Sequence, residues 1–270
     1  MFAAIIIKYV SWLRALPKSD LVLLGKGLVS PQTMMAIWEV VCESLLHRRI
    51  FRINKRLGYM HMSLAFGWFL LIVVGWAETV AYLGARWVPL QGHVFFKYFA
   101  ALNGINTHIA IFDFVMDLLL MFVLSGVALA WYKRRNSAKL GMKRATQHIF
   151  FDKIALTALW FVFPVRLIAE SITAAIYGGG GFLTGGIGKL LSMVVSDNIL
   201  EWAYEPIWWI YSLALGVFFM AMPFSRYMHI FTEIPLIFLR HYKLRPQDKE
   251  KSYDNFEVEA CSRCGICIDP

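Results

Sequence analysis

The sequence predicts an all-α integral membrane protein, built as a bundle of four transmembrane helices. Two observations support this fold class. Hydrophobic residues make up 59% of the chain and charged residues only 17%, whereas soluble domains carry about 25% charged residues. Four apolar segments also reach the roughly 20 residues that a spanning helix needs. They are too long for barrel strands, and lipid satisfies no backbone hydrogen bond, so we expect helices.

Each predicted span ends at a charge cluster or a helix breaker. The spans divide the chain into a segment of residues 1–56, a membrane domain of residues 57–245 and a tail of residues 246–270. The four spans run from about Leu57 to Leu83, His108 to Tyr132, Phe151 to Tyr177 and Pro206 to Tyr227.

The net charge of +9 is concentrated in three segments, which are residues 47–56, 133–153 and 240–251. The positive-inside rule therefore predicts that these segments, including the C-terminal tail, are cytoplasmic. Their position between spans favours a role in topology over nucleic-acid binding, so we expect no nucleic-acid partner. His47 and His241 lie in these basic segments and are expected to be solvated.

The N-terminal segment allows two interpretations. Residues 1–7 are apolar but too few to cross a bilayer. They form either a short interfacial helix or the tail of a partial fifth span, and they lack the charged start of a signal peptide. Residues 34–46 have the pattern of an amphipathic helix on the cytoplasmic surface.

Three cysteines close the sequence in a C-x2-C-x2-C pattern, Cys261, Cys264 and Cys267. A [4Fe–4S] cluster is held by the run C-x2-C-x2-C-x3-C, whose fourth cysteine would fall at position 271. We therefore expect the chain to be the front part of a longer one, ending in the truncated start of a ferredoxin-like module. The alternatives are zinc, which usually adds histidine or a distant cysteine pair, and a redox-inert role.

Two histidines are predicted to lie at a similar depth in the membrane, as the two ligands of one haem must. His61 follows Arg56 by five residues, about 7 Å along a helix, and His229 follows Arg226 by three. Both therefore fall near the cytoplasmic ends of their spans, where two neutral imidazoles could ligate haem iron. Arg226, Lys55 or Arg56 could pair with the propionates. The alternative is two unrelated interfacial histidines.

The segment around His229 resembles the closing helix and tail of the gamma subunit of respiratory nitrate reductase, a membrane cytochrome b that oxidises quinol. It reads PFSRYMHIFTEIP over residues 223–235, followed by FLRHYKLR. The resemblance extends loosely over residues 45–245. It implies that His61 and His229 ligate one b-type haem. The second haem of that family is not expected, because its ligand positions fall near Leu71 and Tyr211.

A haem domain followed by a ferredoxin-like module also resembles the membrane subunits of heterodisulfide-reductase-like complexes. This resemblance implies menaquinone or ubiquinone as substrate and a cytoplasmic iron–sulfur or reductase subunit as partner. It also implies a multisubunit complex in the bacterial cytoplasmic membrane. The fold class thus becomes a four-helix transmembrane haem bundle with the start of a ferredoxin-like module.

Ionisable residues inside the predicted spans are costly in lipid and indicate either packing or function. In the functional interpretation these residues form a quinone site. Its candidate proton acceptors are Glu170, Asp113, Asp117 and Glu78, since oxidation of a quinol releases two protons. In the packing interpretation these residues stabilise contacts between helices, and Arg166 and Glu170 form an i,i+4 pair. Both interpretations place these residues in the middle or outer half of the membrane.

The predicted function is that of a membrane electron-transfer subunit. Electrons would pass between a membrane quinol or quinone and a cytoplasmic iron–sulfur partner through a single b-type haem. The competing interpretations are a haem-free membrane anchor that docks an iron–sulfur protein, and a small transporter.

Overall fold

A computed structural model describes residues 1–83, 110–136, 148–244 and 259–260. These residues are helical and include no strand, so the all-α prediction is confirmed for this part of the chain. Four of the helices are long and apolar enough to cross a membrane, by length and composition. They correspond to the four predicted spans.

The order of the helices follows from the spacing of apolar segments and breakers. Four of them, α5, α6, α7 and α9, are the candidate membrane spans. The elements are α1 Phe2–Arg14, α2 Lys18–Leu28, α3 Gln32–Glu39, a π-helix Val40–Leu45, α4 Arg48–Ile53, α5 Lys55–Leu83, α6 Ala110–Arg135, α7 Phe150–Tyr177, α8 Thr184–Val194, α9 Asp197–Ala221, two 3₁₀ turns Met222–Phe224 and Arg226–Met228, and α10 His229–His241.

The fourth span differs most from its predicted bounds. Helix α9 begins at Asp197 rather than at Pro206, and it ends at Ala221 rather than at Tyr227. Acidic residues lower the hydropathy of its first turns, which hid the true start. Pro206 removes one helical hydrogen bond but does not end the helix. Beyond Ala221 the chain tightens into 3₁₀ turns, the first with Pro223 near its start.

The chain forms two compact units, each assembled from separate stretches of sequence. The first, here called the terminal unit, comprises Met1–Gly58, Lys133–Ala155 and Phe219–Pro270. The second, here called the span unit, comprises Tyr59–Tyr132 and Leu156–Phe218.

The N-terminal apolar segment belongs to the core of the terminal unit. Helix α1 buries Ile5 and Trp12 in an apolar cluster with residues that follow the fourth span, among them Met228 and Tyr242. Polar contacts fasten the same helix, since the Lys8 ammonium donates to the carbonyl of Pro223 at 2.8 Å. The segment is therefore a 13-residue helix that packs on the region around α10.

The predicted amphipathic helix over residues 34–46 is two elements, α3 and the π-helix. One side is exposed at Met34 and Trp38, and Ala36 is buried. Glu39 joins this segment to its neighbours: its carboxylate lies 3.0 Å from Arg240 and 2.7 Å from the Nε2 atom of His241. Arg49 pairs with the same carboxylate at 3.3 Å.

Aromatic packing forms the core of the span unit. The ring of Trp68 on α5 lies 5.6 Å from Phe163 on α7 and 5.1 Å from Phe218 on α9. Leu71, one turn further along α5, is completely buried. Two glycines allow α5 and α6 to approach closely, because Gly67 faces Val123 and Gly126 faces Ser63.

We expect Gly126→Ala to lower the unfolding temperature of the detergent-solubilised protein. A Cβ atom there would collide with the side chain of Ser63, and overpacking of this kind costs about 1–3 kcal/mol. Gly216→Ala is the matched control, because a Cβ atom at Gly216 on α9 meets nothing within 4 Å. Equal unfolding temperatures for the two variants would contradict the close approach of α5 and α6.

Candidate functional site

His229 is a buried, neutral imidazole within the terminal unit. After α9 ends, the hydroxyl of Ser225 accepts a hydrogen bond from the backbone N–H of Tyr227, and α10 then begins at His229. The Nδ1 atom of His229 lies 2.5 Å from the carbonyl oxygen of Arg226. A carbonyl only accepts, so Nδ1 carries the proton and Nε2 keeps its lone pair. Burial lowers the pKa of His229 to about 4, so the ring is neutral at pH 7.

His47 is a second buried imidazole in the terminal unit, and its interpretation as a solvated loop residue is wrong. It is only 9% exposed, and its Nδ1 atom lies 3.1 Å from the carbonyl of Leu45. Its backbone has a φ of 53°, in the left-handed region, where histidine is enriched among non-glycine residues. Burial lowers its pKa, and it interacts electrostatically with His229.

Glu233 lies on α10, one turn after His229. Burial raises the pKa of its carboxyl to about 7. Ser44 and Glu43 on the π-helix and Arg49 on α4 act on it, together with Arg240 on its own helix. We call Glu43, Ser44, His47, His229 and Glu233 the π-helix cluster. It places a carboxyl group that titrates near neutral pH in the same unit as a candidate haem ligand.

Arg226, the candidate partner of haem propionates, contacts a buried carboxylate. Its backbone N–H donates to Oδ1 of Asp152 at 2.6 Å, and its guanidinium Nε lies 3.4 Å from Oδ2. Asp152 is completely buried in the first turn of α7. The pair fixes the backbone from which the carbonyl of Arg226 reaches His229.

His61 lies on α5 in the span unit and is half-buried. His229 belongs to the terminal unit. In the span unit, Leu71 is 0% and Tyr211 5% exposed. The two positions that would carry ligands of a second haem are therefore filled by packed side chains.

Asp117, a candidate proton acceptor, holds the start of helix α8. Its Oδ2 accepts from the backbone N–H groups of Leu183 at 2.6 Å and Thr184 at 2.9 Å, and its Oδ1 accepts from the Thr184 hydroxyl at 2.8 Å. A carboxylate at a helix N-terminus also complements the helix dipole. Asp117 is 1% exposed, so its main contacts are these three hydrogen bonds. Asp113 lies one turn earlier on α6 and is half-buried.

Consecutive glycines bring α8 to Asp117. Gly178, Gly179 and Gly180 have φ values of 75°, 80° and 74°, in the left-handed region that only glycine adopts freely. They end α7 and reverse the chain. Gly181 then lies so close to Asp117 and to the backbone of Asp113 that a Cβ atom would collide with both.

The other two candidate carboxylates surround Arg166 in the span unit. Nε of Arg166 donates to Glu170 at 2.9 Å, and Arg166 also interacts electrostatically with Glu78 on α5 and Tyr211 on α9. Glu78 and Arg166 are each 6% exposed. Trp208 borders the group, with its ring 5.6 Å from that of Tyr211. We call Glu78, Arg166, Glu170 and Tyr211 the arginine cluster.

The cysteine motif lies outside the described residues, as Cys261, Cys264 and Cys267 all do. In the part of the chain that is described, no group of three or more His, Cys, Asp or Glu side chains could hold a metal ion. Iron–sulfur ligation by the three cysteines therefore stays a prediction. The last described residues are Glu259 and Ala260, and Glu259 pairs with Lys8 at 3.1 Å.

Asp117→Asn should destabilise the protein by about 1–3 kcal/mol, because an amide has one acceptor oxygen for three donors and carries no charge. Thermal unfolding in detergent measures this loss. Asp197→Asn is the matched control, since Asp197 is exposed in the first turn of α9. An unchanged unfolding temperature in Asp117→Asn would contradict the capping role.

Glu233→Gln should change how stability depends on pH. The pKa of the Glu233 carboxyl in the folded protein is about 7, above its ordinary value of 4.5. The folded protein therefore keeps this proton at pH values where the unfolded chain has lost it. Wild-type stability is therefore lost as pH rises from about 4.5 through 7, by on the order of 1–3 kcal/mol. We expect Glu233→Gln to unfold at a higher temperature than the wild type at pH 8 and at a similar one at pH 4. The exposed control Glu201→Gln should retain the wild-type slope, and a slope retained in Glu233→Gln would contradict the shifted pKa.

Comparison with known proteins adds no family to these observations. No protein-family model matches the chain, and neither a curated protein nor a solved structure matches it. The resemblance to nitrate reductase gamma subunits thus remains a prediction from the residues around His229.

Proposed function

We propose that this chain is a membrane electron-transfer subunit. It passes electrons between a membrane quinol or quinone and a cytoplasmic iron–sulfur partner, through one b-type haem ligated by His61 and His229. The observation that carries the proposal is the state of His229. Its imidazole is neutral, and its Nδ1–H is directed at the carbonyl of Arg226 at 2.5 Å.

This arrangement fits what a haem requires of a protein ligand. Histidines that bind iron typically donate their other ring N–H to a carbonyl or carboxylate, which fixes the ring and makes the ligating nitrogen more basic. Asp152 supports the arrangement because it holds the backbone N–H of Arg226 at 2.6 Å. When bound, the haem supplies one-electron chemistry, while these residues supply ligation and orientation.

A single haem is favoured by the packing of the span unit. Leu71 is completely buried and Tyr211 nearly so. Neither leucine nor a buried tyrosine in contact with Trp208 provides an imidazole. The proposal therefore assigns one haem to the chain.

The cytoplasmic end of the proposed path rests on the three cysteines and on the charge pattern. Cys261 directly follows Ala260, at the end of the basic tail that the positive-inside rule assigns to the cytoplasm. The spacing of the three cysteines matches three of the four ligands in the run that holds a [4Fe–4S] cluster. The proposed location is the bacterial cytoplasmic membrane, within a multisubunit complex.

A reduced-minus-oxidised difference spectrum of the purified full chain tests the proposal. We expect a b-type alpha band in the wild type that is lost in both His61→Ala and His229→Ala. His241→Gln is the control and should retain the band, because it keeps a hydrogen-bonding group beside Glu39. A wild-type protein without haem would overturn the proposal and favour a haem-free anchor that docks an iron–sulfur protein.

A further inference from the structure

The four carboxylates that the sequence assigned to a quinone site have different environments in the span unit. Asp117 is committed to the start of α8, with both oxygens accepting hydrogen bonds. Glu78 and Glu170 instead lie beside Arg166. Helices α5, α7 and α9 each contribute a residue to this arginine cluster.

Arg166 is a buried cation with hydrogen-bonding capacity to spare. Glu170 holds its Nε atom at 2.9 Å and thereby fixes the plane of the guanidinium. One terminal nitrogen, Nη2, is buried and has no hydrogen-bond partner among the described residues. The side chain is only 7% exposed. A buried unpaired donor on a charged group is costly, which makes a missing acceptor the simplest explanation.

The charges of the cluster indicate what kind of acceptor fits. Two carboxylates, Glu170 and Glu78, already act on this guanidinium, so its charge does not require an anionic ligand. A neutral ligand with a carbonyl oxygen satisfies the spare N–H. The neighbouring carboxylates can accept from a hydroxyl group. Tyr211, which also acts on Arg166, and Trp208 border the cluster.

We infer that Arg166 binds one oxygen of a neutral quinone or quinol headgroup through Nη2, with Glu170 as its positioning residue. A quinone presents carbonyl acceptors to the guanidinium, and a quinol also presents a hydroxyl donor to Glu78. This inference rests on the proposed function for the class of ligand. It adds the residue that holds the headgroup and removes Asp117 from the site.

Equilibrium dialysis of the detergent-solubilised full chain against menadione tests the inference, with protein-free micelles in a reference cell. We expect saturable binding that weakens at least tenfold in Arg166→Gln, about the loss expected for one charge-assisted hydrogen bond. The double variant Arg166→Gln/Glu170→Gln should show the same loss. It also removes the Glu170 charge that pairs with Arg166, so it keeps the test valid if the single variant fails to fold.

Two controls separate hydrogen bonding from packing. Lys189→Gln removes an exposed positive charge on α8 and should bind menadione like the wild type. 2-Methylnaphthalene has the shape of menadione without its oxygens, so its uptake should be the same in wild type and variants. Wild-type affinity for menadione in the double variant would overturn the inference. So would absence of saturable binding to the wild type, a matching loss in Lys189→Gln, or an equal loss of both ligands.

The same measurement in the double variant His61→Ala/His229→Ala separates this inference from the proposed function. Menadione binding does not require haem, so it should persist there and still depend on Arg166. A chain without haem that binds menadione through Arg166 would overturn the proposed electron transfer and leave the headgroup site standing. A chain that contains haem but binds menadione independently of Arg166 would overturn the headgroup site and leave the proposed electron transfer standing.

Discussion

Lipid offers no hydrogen-bond partner, so every charge placed inside the spans needs its partner within the protein. This constraint organises the span unit. Asp117 is stabilised by two backbone N–H groups and a hydroxyl of the chain that follows α7, which requires that chain to fold back over α6. Arg166 is stabilised by Glu170 one turn away, which leaves the rest of its guanidinium for other contacts. The buried charges thus determine where the segment that follows α7 lies and where polar chemistry remains possible.

Most of the fold could be predicted because hydropathy and helix length depend on local sequence. The first three spans were placed within a few residues. The start of α9 was missed, since the acidic residues of its first turns look like loop and Pro206 looks like a helix start. The π-helix and α8 were also missed. The π-helix differs from an α-helix only in its hydrogen bonds, which each span one residue more. Helix α8 lies in a glycine-rich stretch typical of an irregular loop.

The site was predictable only where a contact is local or where a residue type is unusual for its depth. The pair of Arg166 and Glu170 follows from i,i+4 spacing, and the intramembrane carboxylates are conspicuous in an apolar helix. Pairings between distant segments have no comparable signal in the sequence. Asp152 with Arg226, and the electrostatic interaction of His47 with His229, join residues far apart in sequence. Sequence spacing alone cannot distinguish a buried histidine in a basic segment from a solvated one.

The discontinuous make-up of the terminal unit has a consequence for how the protein is made. Arg240 follows its partner Glu39 by 201 residues, which a ribosome translates in about 10–40 s. During that interval Ile5 and Trp12 lack the residues around α10 that bury them. Helix α1 must therefore shelter its apolar face elsewhere, at the bilayer surface or on a chaperone. A nascent chain halted before the fourth span would leave Ile5 and Trp12 without their native contacts.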